Sequence, residues 1–301
     1  MASKQTEQTE SEVITGQAVS VNILKGGVGK SSLSMNIADR LSARGHDVLY
    51  MDLDPNGHVT FGLGYDEVFS DPTHDLSNTV VYNHTDPTEW VYETRWGWDF
   101  VPASVKLEEL ERTLSSEGDT SLLRDNFTRP LFDQGVYDYI IMDGGGEWSM
   151  MAKNAYGAAG QTMIPVTPGK ETRSGFKRTF QRAIQPLQKR IDFKILAIIP
   201  NKIQQRIDYQ YPERELLEHL NRSEHFQEYL PSFARITPDE WDRIDAGEVD
   251  ELPKPGIRHS GAFESAFGEG KPVGRYDPDA DVLEHLDELA RIVEQGGIKH
   301  E

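Results

Sequence analysis

Two lysines, Lys25 and Lys30, stand five positions apart in the glycine-rich stretch LKGGVGKSS at residues 24–32. A glycine turn running into a helix binds phosphate because unpaired backbone amides and the helix N-terminus face the anion. One lysine there reaches the outer phosphate oxygens. Lys30 occupies that place, and the hydroxyl of Ser31 next to it suits a hydrated Mg²⁺. Lys25 is surplus to this chemistry and needs a separate explanation. Three carboxylates complete the set: Asp52 and Asp54 close the apolar run VLYMDLD (48–54), and Asp143 closes YDYIIMD (137–143). Lysine charge, a cation site and a carboxylate that can hold a water are what phosphoryl transfer requires.

These residues sit at the ends of short apolar runs. AVSVNIL (18–24) leads into the glycine loop, and DVLYMDLD (47–54), YDYIIMD, QTMIPV (161–166) and DFKILAIIP (192–200) read as further strands. Between them lie helical patterns. SSLSMNIADRLSARG (31–45) places Leu33, Ile37 and Leu41 on one face and ends at Gly45, and another helical pattern covers 171–189. Near-continuous apolar strands separated by helices predict an α/β fold, a mostly parallel sheet covered by helices on both faces. Ligands in such sheets bind beyond the carboxyl ends of the strands, where the glycine loop and the three aspartates lie. One domain is expected over 18–296, after a disordered acidic tail at 1–17. The stretch TPDEWDRIDAGEVDE (237–251), with seven acids against Arg243, reads as part of an acidic insertion over 237–254, either a solvated loop or a docking surface.

Composition narrows the classes. With no cysteine in 301 residues, disulfides, thiolate zinc sites and iron–sulfur clusters are excluded. The apolar runs are far too short to span a membrane, and the polar, acidic N-terminus lacks the apolar core of a secretory signal. A cytoplasmic protein is expected. The net charge of −19 argues, taken alone, against DNA or an anionic membrane as partner. It fits a high-salt cytoplasm and an ordinary acidic solubility surface equally.

The glycine loop departs from the general pattern G-x-x-x-x-G-K-[ST], because Leu24 holds the first position. It fits K-G-G-x-G-K-[ST] instead, through Lys25, Gly26, Gly27, Gly29, Lys30 and Ser31. The chain here resembles the ParA/Soj/MinD family of deviant P-loop ATPases. VLYMDLDPNGHVTFGLG (48–64) is similar to the family's D-x-D-P-Q-G-N-A-T, matching at Asp52, Asp54, Pro55, Gly57 and Thr60. YDYIIMD, PVTP (165–168), PNKIQQR (200–206) and AFGEGKPVGRYDPDADVLEHLDELARIV (266–293) continue the resemblance in register.

The resemblance implies a P-loop NTPase fold, ATP and Mg²⁺ as cofactors, and a homodimer in the ATP state. It implies that Gly26, Gly27, Val28, Gly29, Lys30, Ser31 and Ser32 hold the phosphates and that Asn201 faces adenine. Ser31, Asp52 and Asp143 would serve the metal, directly or through its water shell, and Asp54 the attacking water. Lys25 becomes the signature lysine, which reaches the nucleotide held by a partner subunit and makes hydrolysis conditional on dimerisation. Two departures stand out. Asn56 and His58 replace the usual Gln and Asn, and Gly144, Gly145 and Gly146 follow Asp143 where the family has prolines. The three glycines are expected to loosen that loop and slow hydrolysis.

Three functions fit these motifs. A ParA-type ATPase would grip nucleoid DNA without sequence preference, position DNA or another cargo, and be stimulated by a ParB-like or cargo-adaptor partner. A MinD-type switch would need a basic amphipathic C-terminal helix, but the stripe Val282, Leu283, Leu286, Leu289 and Ile292 is backed by acids. A metabolic enzyme of the same fold would need a substrate pocket that nothing in the sequence suggests. DNA binding has a candidate in GKETRSGFKRTFQRAIQPLQKR (169–190), where Lys170, Arg173, Lys177, Arg178, Arg182, Lys189 and Arg190 face Glu171 alone. Lys170, Arg173 and Lys177 recur at helical intervals with Arg178 beside them, which predicts one basic face. An acidic partner or the dimer interface is the alternative reading of that face.

Overall fold

The computed structural model describes residues 16–204, 207, 211–249 and 251–299. The expected tail thus lies outside the described residues except for Gly16 and Gln17, and Gln17 already belongs to the sheet. Seven strands form that sheet: β1 Gln17–Val21, β2 Val48–Leu53, β3 Tyr92–Glu93, β4 Asp99–Val101, β5 Tyr139–Gly144, β6 Gln161–Val166 and β7 Lys194–Pro200. Their spatial order is β3-β4-β2-β5-β1-β6-β7. Every pairing is parallel except β3 with β4 at the edge. The sequence reading lacked β3 and β4, because two- and three-residue strands leave no periodicity to see.

Side chains of both sheet faces are buried. On one face the P-loop helix Lys30–Ala43 packs Leu33, Ile37 and Leu41 together with Leu286, Leu289 and Val293 of the final helix Val282–Glu294. Each such fully buried leucine contributes about 1.5–3 kcal/mol. Charged clasps pin the two helices together: Arg40 to Asp287, and Arg44 to Glu294 with two hydrogen bonds of 2.7 and 2.8 Å. The apolar stripe of the final helix is therefore core. The opposite face buries Leu107, Leu110 and Leu114 of a second helix against β2 and β5 residues.

The acidic stretch at 237–251 is not a solvated loop. Thr237 and Glu240 form a reciprocal capping box that starts the helix Pro238–Ala246, and Gly247 ends it in the left-handed conformation. Its acids face solvent while Trp241 and Ile244 close a small core with Leu217, Ile207 and Ile236. Arg214 lies over the Trp241 ring and pairs with Glu218 and Asp245. Replacing Trp241 by alanine should lower stability in urea unfolding by about 3–5 kcal/mol. ATP affinity measured by calorimetry should be unchanged, since this core is separate from the glycine loop.

Candidate nucleotide site

The loop after β1 wraps an open cavity of about 760 Å³ lined by Lys25–Gly27, Gly29–Ser32, Asp54, Asn56, His58, Gly146–Trp148, Arg178, Arg182, Lys202 and Phe267. Gly27 and Gly29 have φ of 75° and 89°, which only glycine adopts without strain, so the loop can turn its amides inward. Lys30 is 7% exposed, and its ammonium donates to the Lys25 carbonyl at 3.3 Å. Lys25 borders the same cavity, but its ammonium is held in an ion pair with Glu171 at 2.5 Å. The two lysines have different places in the fold.

Pairing of β2 with β5 sets Asp52 opposite Asp143. Both are fully buried. Asp52 is satisfied locally: it accepts from the amide and hydroxyl of Thr60 at 3.0 and 2.8 Å and from the amide of Asp54 at 3.2 Å. It thereby shapes the 54–60 loop and presents Asp54, which binds the amide and side chain of Asn56. Asp143 is different. Neither of its oxygens has a hydrogen-bond partner, although the Ser31 hydroxyl lies near enough to favour its charge. Burial above all, and then the neighbouring Asp52, push the Asp143 carboxyl up from its ordinary range. Burial likewise raises Asp52, with the Thr60 hydrogen bonds opposing it. Beneath them Tyr50 is buried, with its hydroxyl 3.1 Å from the Ser34 hydroxyl. An orphaned, buried carboxylate beside Ser31 and a phosphate-binding loop fits a hydrated divalent cation.

Two of the three glycines after Asp143 sit at close approaches of the chain. A Cβ on Gly144 would lie 2.6 Å from the Asn22 amide nitrogen, and one on Gly146 would lie 3.0 Å from the Gly26 nitrogen. Both glycines let the segment pack directly against the phosphate loop. Asn201 is buried and donates to the Val28 carbonyl at 2.9 Å, so it braces that loop from behind. It also borders a smaller cleft of about 140 Å³, with Phe263 and Phe267, that opens beside Gly29. Gln205 and Arg206 of the expected adenine-side loop lie outside the described residues.

The basic helix runs from Lys170 to Thr179 and continues through a wide π-helical turn at Phe180–Ile184 into Gln185–Gln188. Pro186 explains the turn: its ring and missing N–H are incompatible with a regular helical register. Lys170, Arg173, Lys177, Lys189 and Arg190 are exposed, with Arg173 paired to Glu215. Arg178 and Arg182 are exposed as well and also line the phosphate cavity, and Arg178 donates to the Leu24 carbonyl. The sequence reading assigned both to DNA; the structure puts them beside the phosphate loop. It also missed Lys202, whose backbone has φ of 56° and whose ammonium donates to the Gly27 carbonyl at 3.0 Å. No residue pattern signals that strained conformation.

With this geometry in hand, comparison with known proteins is decisive. Residues 16–197 match the AAA domain model AAA_31. The cell division protein PomZ of Myxococcus xanthus is 27% identical over 260 residues, covering 85% of this chain and 71% of that protein. The sporulation initiation inhibitor Soj of Bacillus subtilis is 24% identical, covering 94% of this chain and all of that protein. Shorter matches to other curated proteins cover about half of their lengths. The chain belongs to the ParA/MinD family of P-loop ATPases.

Solved structures share the fold. Apo McdA of Cyanothece superposes with a TM-score of 0.67 at 20% identity, covering 93% of this chain and 98% of that one. Cobyrinic acid a,c-diamide synthase of Mycobacterium smegmatis, with ADP and magnesium bound, gives 0.66 at 22% identity, covering 95% and 100%. Within the ParA/MinD fold the Asp143 carboxyl should mark the ligand-free state. A carboxyl with a raised folded pKa favours the fold while protonated, and that contribution is lost as pH climbs from the ordinary 3.8 through the raised value. Asp143→Asn removes the charge and keeps the shape. In scanning calorimetry without nucleotide it should melt above wild type at pH near 8 and level with it at pH near 4. Equal melting at both would mean that Asp143 is not a buried charge.

Proposed function

We propose that this chain is a Mg²⁺-dependent ATPase of the ParA type. On binding ATP it pairs into a homodimer that holds duplex DNA without sequence preference and positions DNA or another cargo, and a partner protein stimulates hydrolysis. The observation that carries this reading is the division between the two lysines, with the Lys30 ammonium held by the backbone of the phosphate loop and the Lys25 ammonium held by Glu171 of the basic helix. A lysine that served its own subunit's nucleotide would be expected to bond within the loop, as Lys30 does.

In this reading the amides of Gly26, Gly27, Val28 and Gly29 and the ammonium of Lys30 bind the phosphates. Ser31 takes a place on the metal, Asp143 and Asp52 hold its water shell, and Ser32 closes the helix N-terminus. ATP supplies the phosphoryl group and Mg²⁺ neutralises its oxygens. Asp54, held at the cavity mouth through Asn56, orients the attacking water. Lys25 adds positive charge from the partner subunit when charge spreads over the γ oxygens. Asn201 sits between the phosphate loop and the small cleft that suits the base.

DNA contact falls to the exposed Lys170, Lys177, Lys189 and Arg190, with Arg173 shared with Glu215. Two copies in a dimer would double that surface, which ties DNA binding to ATP. A membrane role is disfavoured: the apolar stripe of the final helix is core, and among the described residues no helix is long and apolar enough to cross a membrane. The protein would then work on the nucleoid in the cytoplasm.

Light scattering with ATP and Mg²⁺, followed by duplex binding across a salt series, tests this reading. Wild type should dimerise only with ATP and bind duplexes of unrelated sequence alike. Lys30→Ala should lose both properties with ATP binding. The triple change Lys177→Glu, Lys189→Glu and Arg190→Glu should keep ATP-driven dimerisation. It should flatten the slope of log affinity against log salt by about one unit for each phosphate contact removed. A triple variant with wild-type affinity and slope would move DNA away from this helix.

A further inference from the structure

The basic helix grips the segment that carries Lys25. The Leu24 amide donates to the Thr179 hydroxyl at 2.9 Å in a buried hydrogen bond, and Arg178 donates to the Leu24 carbonyl at 3.4 Å. Gly175 lies against the lysine stem, where a Cβ would come within 2.9 Å of the Lys25 Cβ. At the helix start, the exposed Glu171 carboxylate takes the Lys25 ammonium at 2.5 Å. Three of these contacts are made by the chain's backbone or the lysine stem and fix where the side chain emerges. Only the fourth decides where the charge goes.

The environment makes Glu171 a choice rather than a default. The cavity next to Lys25 is lined by the cations Lys30, Arg178, Arg182 and Lys202 against the acids Asp54 and Glu147, so a free ammonium there would face an excess of positive charge from its own subunit. Glu171 is the one acid of the helix Lys170–Thr179, and it stands at the point where the lysine can reach it. Its side chain is 83% exposed against 29% for Lys25, so the pair can open without disturbing the core.

We propose that Glu171 is a positioning residue for Lys25: it parks the lysine on its own subunit's basic helix and yields it when a dimer brings a partner's phosphates within reach. This rests on the reading of Lys25 as the lysine donated in trans. A triphosphate carries several negative charges where Glu171 carries one, so the exchange runs toward the nucleotide once the dimer forms. Until then the parked lysine adds to the cost of dimerisation, which holds down hydrolysis by the lone subunit.

The test uses the full chain with saturating ATP and Mg²⁺. Glu171→Gln should reach half-maximal turnover at roughly two- to fivefold lower protein concentration than wild type, the equilibrium equivalent of one exposed ion pair. Its KM for ATP should not move, which a general disturbance of the phosphate loop would not allow. In light scattering, Lys25→Ala with Glu171→Gln should dimerise as Lys25→Ala alone does, because the latch then has nothing to hold. An unchanged concentration dependence in Glu171→Gln, with Lys25→Ala inactive, overturns the latch and leaves the trans lysine standing. The same gain in dimerisation without Lys25 also overturns it. Wild-type turnover in Lys25→Ala would remove the trans lysine and the latch together.

Discussion

The register between β2 and β5 is the constraint on which the site depends. It puts Asp52 opposite Asp143, while β1 pairs with β5 so that Val21 stands beside Asp143 just before the glycine loop begins. Backbone hydrogen bonds thus fix two carboxylates and the start of the phosphate loop at one end of the sheet. The sheet hydrogen bonds hold them there at the expense of burying like charges. Asp52 is relieved by Thr60 and the Asp54 amide, but Asp143 is left unpartnered, and only a proton or a cation can compensate it.

Everything around this pair keeps the loop rigid. Gly144 and Gly146 let the chain after Asp143 press against Asn22 and the Gly26 backbone. Asn201 and Lys202 hold the Val28 and Gly27 carbonyls from the far side, and Thr179 holds Leu24. The final helix secures the P-loop helix through Arg40 and Arg44. A phosphate site assembled this way is organised before any ligand arrives, which lowers the entropy cost of binding.

The central strands and the glycine loop were legible because burial on both faces writes near-continuous apolar runs, and because Lys25, Lys30 and Ser31 sit at fixed spacing. The edge strands Tyr92–Glu93 and Asp99–Val101 were too short to leave a pattern. Three local readings were incomplete for one reason: each depended on what the segment packs against. Gly144 and Gly146 read as freedom and turned out to be close approach. The acids at 237–251 read as a solvated loop or a docking surface, although Trp241 and Ile244 mark a helical face. Arg178 and Arg182 read only as DNA-binding charges, although they are exposed at the mouth of the phosphate cavity as well.

The charge pattern and the site now connect. An acidic chain keeps one helix basic, and that helix is bonded to the segment carrying Lys25. What binds the helix and what binds the nucleotide therefore act on the same few residues. The central claim is that Lys25 works on a partner's nucleotide, and mixing two inactive variants tests it most directly. Lys25→Ala and Asp54→Ala should each lack ATP turnover alone. Mixed in equal amounts, half of the dimers should be mixed, each with one complete site, which restores roughly a quarter of wild-type turnover if subunits pair as a two-fold dimer. A mixture as inactive as its components would show that Lys25 serves its own subunit's nucleotide.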